Sequence, residues 1–298
     1  MSTITKSGII TICGRPNVGK STLTNALVGE KVAIVTNKPQ TTRNRICAIL
    51  NRGQSQFVFV DTPGLHKART RLGDYMVNVV RESVSDVDAI LLLVEPIPNI
   101  GAPEQELIDR IKKLGCPAVL VINKVDTLEQ KEALLEVIQV YSQAHEFNAV
   151  VPISAKSGEG VNELLELLEG YLEEGPQLFP EDMVTDQPER QVMAEILREK
   201  LLLCLDKEIP HGTAVEITKF SERDDEVIEC DATIYCERNS HKGIIIGKQG
   251  AMLKKISSMA RADCEKFMGT RVYLTTWVKV KENWRDSDFM VRNFGYTE

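Results

Sequence analysis

The stretch Ile9-Ile-Thr-Ile-Cys-Gly-Arg-Pro-Asn-Val-Gly-Lys-Ser21 decides the fold of the amino-terminal half of the chain. A short apolar run is followed by a glycine-containing loop, and the loop ends in Lys20-Ser21 just before a helical pattern. The spacing G-x-x-x-x-G-K-[ST] is that of a phosphate-binding loop, in which backbone N–H groups and a helix N-terminus surround an anion. A plain glycine turn is the alternative, and the position between strand and helix makes it the weaker interpretation. The stretch therefore predicts a P-loop domain.

The same alternation continues over residues 8–173. Short runs rich in Val, Ile, Leu and Phe are separated by helical patterns, and most of these runs are apolar nearly throughout. Such runs are typical of strands buried on both faces of a mainly parallel sheet, with helices as the outer layers. The predicted strands are residues 9–13, 56–60, 89–95, 118–123 and 149–153, and the predicted helices are residues 21–28, 72–83, 103–114, 129–147 and 161–172. We therefore expect an α/β fold, with a three-layer domain over residues 1–173.

A second, smaller domain is predicted after a change in composition. Residues 174–189 contain proline and acidic residues without periodicity, which is typical of a linker. Residues 190–298 then contain a helical pattern, two strand patterns, two further helices and a last strand. This order predicts an α+β domain over residues 190–298.

Composition excludes several classes of protein. The chain has 298 residues and a formal net charge of −7, and its longest purely apolar run, residues 89–94, is six residues long. A transmembrane helix needs about 20 apolar residues, so we expect none. The seven cysteines form no C-x-x-C pair, which is typical of buried, reduced thiols in a cytoplasmic protein. The acidic average argues against bulk binding of DNA, and we expect a monomer.

The average charge conceals a segregation of charge along the carboxyl-terminal part of the chain. Residues 181–240 carry a net charge of −9, whereas residues 241–281 carry nine Lys or Arg against two acidic residues, a net charge of +7. One strongly basic block in an acidic protein indicates a face that binds a polyanion. A solvated, lysine-rich helix surface remains the alternative from charge alone.

Two groups of residues complete the predicted phosphate site. Lys20 is expected to bridge the β- and γ-phosphates of a nucleotide, and the Ser21 hydroxyl to hold Mg²⁺. Asp61-Thr62-Pro63-Gly64 follows directly on an apolar strand, where the carboxylate can hold the Mg²⁺ shell. The Gly64 N–H can then sense the γ-phosphate. We expect Ser21 and Asp61 to be metal-binding residues.

The base is predicted from Asn123-Lys-Val-Asp126, at the end of another apolar strand. A carboxylate beside guanine accepts hydrogen bonds from the ring N–H and the exocyclic amine, whereas adenine would leave it unpaired. Ser154-Ala-Lys156 follows the last strand, where a backbone N–H can meet guanine O6. A polar loop and a simple helix cap are the alternatives for each motif alone. Together and in this order they predict a GTP site.

The basic block of the second domain contains a candidate RNA-binding loop. In Gly243-Ile-Ile-Ile-Gly-Lys-Gln-Gly250 the last four residues have the form G-x-x-G, and they lie between two helical segments. In KH modules this loop clamps about four nucleotides of backbone, and an adjoining apolar groove takes the bases. A helix–turn–helix connection is the alternative. The predicted RNA-binding residues are Gly243, Ile244, Ile246, Gly247, Lys248, Gln249, Gly250, Lys254 and Lys255, with Arg261 flanking; Trp277 and Trp284 are expected to pack in the core or at a sheet edge.

The phosphate loop, the tract Pro39-Gln-Thr-Thr-Arg43 and Asp61-Thr-Pro-Gly-Leu-His66 together resemble the Era family of bacterial GTPases, which joins a GTPase domain to a type II KH domain. The resemblance covers almost the whole chain. It implies a cytoplasmic GTPase switch that binds the 3′ end of 16S rRNA during assembly of the small ribosomal subunit, with peripheral association with the inner face of the membrane as a further property of the family. A constitutive RNA-binding scaffold with a structural nucleotide site is the alternative function.

The resemblance also assigns roles near the γ-phosphate. Thr42 would be the switch threonine that reaches Mg²⁺, with Thr41 as the alternative. Leu65 stands where Ras-like enzymes have the glutamine that orients water, so we expect slow intrinsic hydrolysis. Related GTPases with the asparagine of position 17 use K⁺ beside the phosphates, whereas the alternative role of Asn17 is to stabilise the turn.

The predicted site is then complete. Its predicted catalytic residues are Lys20, Asn17, Thr42 and Gly64. Its predicted nucleotide-binding residues are Gly14, Arg15, Pro16, Asn17, Val18, Gly19, Lys20, Ser21, Thr22, Asp61, Thr62, Pro63, Gly64, Asn123, Lys124, Val125, Asp126, Ser154, Ala155 and Lys156, and its metal ligands are Ser21, Thr42 and Asp61. GTP or GDP and Mg²⁺ are the expected cofactors, and K⁺ is implied by the resemblance.

Overall fold

The structure is a computed structural model that describes residues 4–64, 70–83, 87–130, 132–223 and 225–296. By their contacts the described residues form two compact units. The first unit takes its residues from Met1–Ala33, Thr42–Lys67 and Met76–Asp186, and the second from Ile34–Thr41, Ala68–Tyr75 and Gln187–Glu298. The predicted domains 1–173 and 190–298, with the linker 174–189, stay predictions.

Strands and helices alternate as far as Glu174, except for one pair of consecutive strands after the first helix. The elements in chain order are β1 (Lys6–Cys13), α1 (Lys20–Val28), β2 (Ile46–Arg52), β3 (Ser55–Asp61), α2 (Arg71–Glu82), β4 (Ala89–Val94), α3 (Ala102–Leu114), β5 (Ala118–Ile122), α4 (Ala133–Ala144), β6 (Ala149–Pro152), α5 (Val161–Glu169) and β7 (Glu173–Glu174). Each predicted strand of residues 8–173 corresponds to one of these strands.

Within the described residues, the strands β1 to β7 form one sheet in the order β2-β3-β1-β4-β5-β6, and β7 pairs with β1. The hairpin β2–β3 and the pair β1–β7 are antiparallel. The other pairs, β1–β3, β1–β4, β4–β5 and β5–β6, are parallel. The predicted mainly parallel sheet is therefore confirmed.

The central strand β4 shows why apolar runs form this sheet. All six of its residues are buried, because successive side chains point to opposite faces and both faces are covered. Leu91 and Leu93 pack in one core with helices α1 and α5, whereas Leu92 packs with α3 and α4 in the other. A strand buried on both faces cannot show the alternation of a half-exposed strand.

β2 is not among the predicted strands; it forms a hairpin with β3. The turn between them contains Gly53, whose φ of 62° is a left-handed conformation that favours glycine. An apolar run at residues 46–50, followed by a turn with glycine and then a second apolar run, is the sequence pattern that predicts a β-hairpin.

Residues 176–186 run along this hairpin. The N–H of Ile49 donates to the carbonyl of Val184 at 2.9 Å, and the N–H of Cys47 donates to the Asp186 carboxylate at 3.0 Å. Farther along, the N–H groups of residues 178 and 179 both donate to the Gln56 side-chain oxygen, at 2.8 and 2.9 Å. Much of the stretch predicted as a linker is thus hydrogen-bonded to β2 and β3.

The second unit contains the order helix–strand–strand–helix–helix–strand. Its elements are α6 (Glu189–Cys204), β8 (Ala214–Glu222), β9 (Ile228–Cys236), α7 (Asn239–Ile246), α8 (Ala251–Met268), β10 (Val272–Val280) and α9 (Asp288–Asn293). The sheet order is β10-β9-β8, with β8 antiparallel and β10 parallel to β9. This arrangement confirms the predicted α+β domain of KH type II order. In the described parts of the chain, every helix is too short or too polar to cross a membrane.

Candidate functional site

The predicted nucleotide-binding residues meet at one edge of the large sheet. Strands β1, β3, β5 and β6 end at Cys13, Asp61, Ile122 and Pro152, and a predicted motif begins at or shortly after each end. Because β1, β3, β4, β5 and β6 run parallel to one another, their carboxyl ends lie at the same edge. This edge is where open α/β sheets bind ligands.

The phosphate loop closes around the side chain of Lys20. Lys20 is the first residue of α1 and is buried, and its ammonium donates to the carbonyls of Gly14 at 3.2 Å and Arg15 at 3.1 Å. Burial lowers the pKa of Lys20, against the effect of the nearby Asp61 charge. Asn17 and Gly19, with φ values of 66° and 102°, give the loop its curvature. The ammonium is thus held at the mouth of the helix, where an anion would bind.

Three oxygen-bearing side chains converge beside this lysine. The Ser21 hydroxyl donates to Asp61 Oδ2 at 2.7 Å and lies 2.8 Å from the Thr42 hydroxyl. Asp61 is fully buried, and its Oδ1 has no hydrogen-bond partner among the described residues. Burial raises the pKa of Asp61 to about 6, although the Lys20 charge opposes the shift. A buried carboxylate oxygen without a donor, beside two hydroxyls, fits the oxygen ligands that Mg²⁺ prefers.

The structure distinguishes the two candidate switch threonines by their contacts. Thr42 turns its hydroxyl to Ser21, whereas the Thr41 hydroxyl donates to the carbonyl of Lys38 at 2.6 Å and contacts the Thr36 hydroxyl. The Thr41 side chain therefore belongs to a local turn. Thr42 is the threonine that lies with the candidate metal ligands.

Gly64 lies against the phosphate loop so closely that a side chain would not fit. A Cβ atom at this position would lie 2.7 Å from Pro16 Cα and 2.8 Å from Pro16 N. Thr62 is buried, and its hydroxyl donates to the carbonyl of Ile12 at 3.0 Å. These contacts fix the path of residues 62–64 past the loop. Leu65, on which the prediction of slow hydrolysis rests, lies outside the described residues.

Asn123 ties three loops together. Its amide nitrogen donates to the carbonyl of Val18 at 2.8 Å, and its amide oxygen accepts from the N–H of Ala155 at 2.9 Å. The phosphate loop, the loop after β5 and the loop after β6 are therefore held by one buried amide. The motif that begins at Asn123 and the motif 154–156 therefore hold the loops together, in addition to their predicted role in recognising guanine.

The remaining residues of the predicted guanine site lie in the loops after β5 and β6. Asp126 lies in the short 3-10 turn Val125–Thr127 and is exposed. Ser154 and Ala155 are buried, and Lys156 is exposed. The Ser154 hydroxyl accepts from the N–H of Ser157 at 3.3 Å, which is the helix-cap-like contact considered for this motif.

Glu95 was missed by the sequence analysis. It follows β4 at the same sheet edge, and its carboxylate accepts hydrogen bonds from Arg15 and from Lys124. The Arg15 guanidinium therefore points to carboxylates and not into the phosphate loop. A charged residue directly after an apolar strand of a parallel sheet was the available signal.

The predicted RNA-binding loop has the conformation that its glycines imply. Gly247 ends α7 with a φ of 72°, and a Cβ there would lie 2.7 Å from Met252 Cβ. Gly250 has a φ of 79° at the start of α8, and between them Lys248 and Gln249 are exposed. Two exposed side chains on a tight turn before a long helix are suited to contact a sugar–phosphate backbone.

The apolar and basic neighbours of this loop are partly exposed. Ile244 is 49% exposed, whereas Ile246 is half-buried and packs against the core. Among the predicted RNA-binding residues and their neighbours, Gly243 on α7 and Lys254, Lys255 and Arg261 on α8 are exposed. Trp284 is fully buried and donates its indole N–H to the Gly212 carbonyl at 2.9 Å, as expected for core packing. Trp277 lies on the sheet-edge strand β10 but is 58% exposed.

Two protein-family models match the chain. The model described as 50S ribosome-binding GTPase matches residues 9–124, and the KH domain model matches residues 208–285. The first range spans the phosphate loop and reaches the guanine motif, and the second contains the G-x-x-G loop. The two predicted modules are confirmed.

Curated relatives match over nearly the full length. GTPase Era of Ruminiclostridium cellulolyticum is 51% identical over 291 residues, which cover 98% of this chain and 97% of the relative. GTPase Era of Clostridioides difficile is 49% identical over 294 residues, which cover 98% of this chain and 99% of the relative.

Solved structures give the same result. A variant of Aquifex aeolicus Era bound to GDP and aluminium fluoride superposes with a TM-score of 0.94 at 39% identity, covering 98% of this chain and 100% of that one. Era in complex with MgGDPNP and nucleotides 1506–1542 of 16S ribosomal RNA superposes with a TM-score of 0.95 at 38% identity, covering 99% and 100%. The chain is therefore a member of the Era family of GTPases.

Proposed function

We propose that the chain is a GTP-hydrolysing switch that binds single-stranded RNA, with the 3′ end of 16S rRNA as its target during assembly of the small ribosomal subunit. The observation that carries the proposal is the full-length similarity to the Era structure that holds MgGDPNP and nucleotides 1506–1542 of 16S rRNA. The described site supports it, because each motif expected for GTP lies at one sheet edge in the first unit. Location in the cytoplasm, with peripheral membrane association, stays a prediction from resemblance.

In this function the buried Lys20 neutralises the β- and γ-phosphates, and the loop N–H groups bind their oxygens. Ser21, Thr42 and Asp61 would hold Mg²⁺, which when bound neutralises charge on the same phosphates. The Asp61 Oδ1 atom, buried without a donor, supports that assignment. These groups do the positioning and electrostatic work on which phosphoryl transfer depends.

Recognition of guanine is assigned to Asp126, and its exposure leaves the carboxylate accessible to a base. Asn123 acts differently, because both ends of its amide are bonded to the protein. Its role is to hold the loop after β6, whose residues 154–156 are expected beside guanine O6, by accepting the hydrogen bond of the Ala155 N–H. Gly64 leaves room for the phosphate loop, and its N–H would bind the γ-phosphate.

A K⁺ ion at Asn17 belongs to the same proposal. Asn17 has a φ of 66°, a conformation that asparagine tolerates, so a turn-stabilising role alone also explains the residue. The variant Asn17→Gly separates the two roles, since glycine keeps the turn and lacks the side-chain oxygen. If the ion is bound, exchange of Na⁺ for K⁺ at constant ionic strength raises the hydrolysis rate of the natural chain severalfold and leaves that of Asn17→Gly unchanged. Equal rates in both salts would exclude the ion.

RNA binding is assigned to the loop 247–250 and the basic side of α8. Lys248 and the exposed lysines of α8 supply positive charge that attracts the phosphates of the RNA backbone. The partly exposed Ile244 offers an apolar surface to a base of the RNA. The +7 charge of residues 241–281 supports the assignment of polyanion binding to the second unit. Because the remainder of the chain is acidic, we expect RNA to bind at this basic region and not over the whole surface.

The decisive experiment measures RNA affinity as a function of nucleotide. The full chain is mixed with a labelled RNA of the 16S 3′-end sequence in the presence of a non-hydrolysable GTP analogue, GDP or no nucleotide, and filter binding is measured at fixed salt. A switch requires affinities that differ between the three conditions. Equal affinities would support the constitutive scaffold, and equal binding of a scrambled RNA would contradict the proposed target.

A further inference from the structure

Glu95 lies between the phosphate loop and the guanine-binding loop, which are expected to bind opposite ends of the nucleotide. It is the first residue after β4, and both of its carboxylate oxygens are used. Oε2 accepts a hydrogen bond from the Arg15 guanidinium in the phosphate loop, and Oε1 accepts one from the Lys124 ammonium in the guanine motif. One carboxylate thus joins two cations from different loops.

Each of these cations has a second contact that limits its movement. Arg15 Nε lies 3.3 Å from Oε1 of Glu104, a buried residue in the first turn of α3. Lys124 donates a further hydrogen bond to the carbonyl of Asn17 in the phosphate loop, at 2.7 Å. Lys124 therefore contacts the phosphate loop directly and, through Glu95, a second time by way of Arg15.

Glu95 is charged at neutral pH in this setting. Burial alone would raise the pKa of Glu95, but the hydrogen bonds and positive charges of Lys124 and Arg15 outweigh it and hold the pKa below the usual value. The three side chains are a fifth to a third exposed, so the pairs are partly desolvated and their strength depends on salt. Asn123 joins the same two loops by an uncharged hydrogen bond to the Val18 carbonyl, and this connection does not depend on charge.

We infer that Glu95 is a positioning residue that clamps the phosphate loop to the guanine-binding loop and thereby sets the rate at which nucleotide leaves. The inference rests on the proposed function, because it needs a nucleotide that contacts both loops. Release requires the two loops to separate or distort, and the clamp opposes that motion. Chemistry at the γ-phosphate depends on other groups, since Glu95 touches neither the candidate metal ligands nor Lys20.

The substitution Glu95→Gln tests this by keeping the shape and removing the charge. We expect release of GDP to accelerate about tenfold, whereas the rate of a single turnover of bound GTP stays within about twofold. Raising the salt concentration accelerates release from the natural chain and has less effect on the variant. Glu95→Asp, which retains a carboxylate on a shorter side chain, restores part of the slow release.

The measurement is stopped-flow release of a fluorescent GDP analogue from the full chain with Mg²⁺ present. Glu163→Gln, which removes an exposed carboxylate from α5, is the matched control and should release nucleotide like the natural chain. If Glu95→Gln also releases nucleotide at the natural rate, the clamp is refuted. If faster release comes with a proportional loss of single-turnover rate and no change in salt dependence, a general structural role is shown and the inference fails.

A double-variant cycle gives a second test. If Glu95 acts through Arg15, the combination of Glu95→Gln with Arg15→Gln accelerates release no more than the stronger single variant. Additive effects would contradict the clamp. A natural chain that binds no guanine nucleotide would refute the proposed function instead, so the two failures are distinguishable.

Discussion

Replacement of Gly19 by alanine tests how the phosphate loop and the guanine motif depend on each other. Gly19 immediately precedes α1 with a φ of 102°, and a Cβ built there would lie 2.3 Å from Asn123 Nδ2. That nitrogen is the end of a side chain, but it cannot swing aside freely. It is buried and bonded to the carbonyl of Val18, while the oxygen of the same amide is bonded to the N–H of Ala155.

The expected cost has two parts. Holding alanine at this positive φ costs about 1–2 kcal/mol. Displacing the Asn123 amide breaks two hydrogen bonds in a buried place, and each group left unsatisfied costs about 1–3 kcal/mol. We therefore expect a total of about 3 kcal/mol or more. The nucleotide-free variant escapes this cost by moving the phosphate loop away from Asn123, and GDP must restore the original arrangement when it binds, so GDP binding is weaker by about a hundredfold.

The assay is equilibrium titration of the full chain with a fluorescent GDP analogue. Gly29→Ala is the matched control, because Gly29 ends the same helix with a φ of 77° and a Cβ there would meet nothing within 4 Å. The control should lose about 1 kcal/mol of stability to unfolding and retain its affinity. If Gly19→Ala binds GDP as well as Gly29→Ala does, the steric argument is wrong.

Three further outcomes are expected. Asp126→Asn should transfer preference from GTP to XTP in competition binding, because the amide offers a donor where the carboxylate accepts; unchanged selectivity would remove Asp126 from base recognition. The double variant Lys248→Asp, Gln249→Asp should abolish filter binding of RNA and spare intrinsic GTP hydrolysis, since both side chains are exposed and Gly247 is left intact; surviving affinity would place the RNA elsewhere. Arg198→Met should cost about 3 kcal/mol in denaturant unfolding, because the buried Arg198 pairs with Glu195 and donates to the Thr41 carbonyl; a loss no larger than that of the exposed control Arg190→Met would contradict this.

The parts of the site that could be predicted from the sequence are those in which short-range pattern and chemistry coincide. Lys20, Asp61 and Asn123 each stand in a motif at the end of an apolar strand, so strand order alone brings them to one edge. The residue types then specify the chemistry of phosphate, metal and base. This is why the fold class and the position of the site follow from local features.

Contacts between distant segments could not be predicted in this way. Glu95 acquires its role from Arg15 and Lys124, which lie 80 and 29 residues away along the chain. The choice between Thr41 and Thr42 depends on which hydroxyl turns toward Ser21, and adjacent threonines give no sequence signal for that. Such assignments require the tertiary structure.

The stretch 176–186 has a consequence for how the sheet is protected from other chains. β2 is the last strand at its side of the sheet, and an uncovered edge of this kind offers N–H and C=O groups that can pair with a strand of another molecule. Here the groups of Cys47 and Ile49 are already bonded to residues 184 and 186. A shortened chain that ended at Glu173 would keep every nucleotide motif and yet uncover this edge, together with the apolar residues beside it. Ending the chain after Asp186 would retain the cover and, with it, resistance to edge-to-edge aggregation.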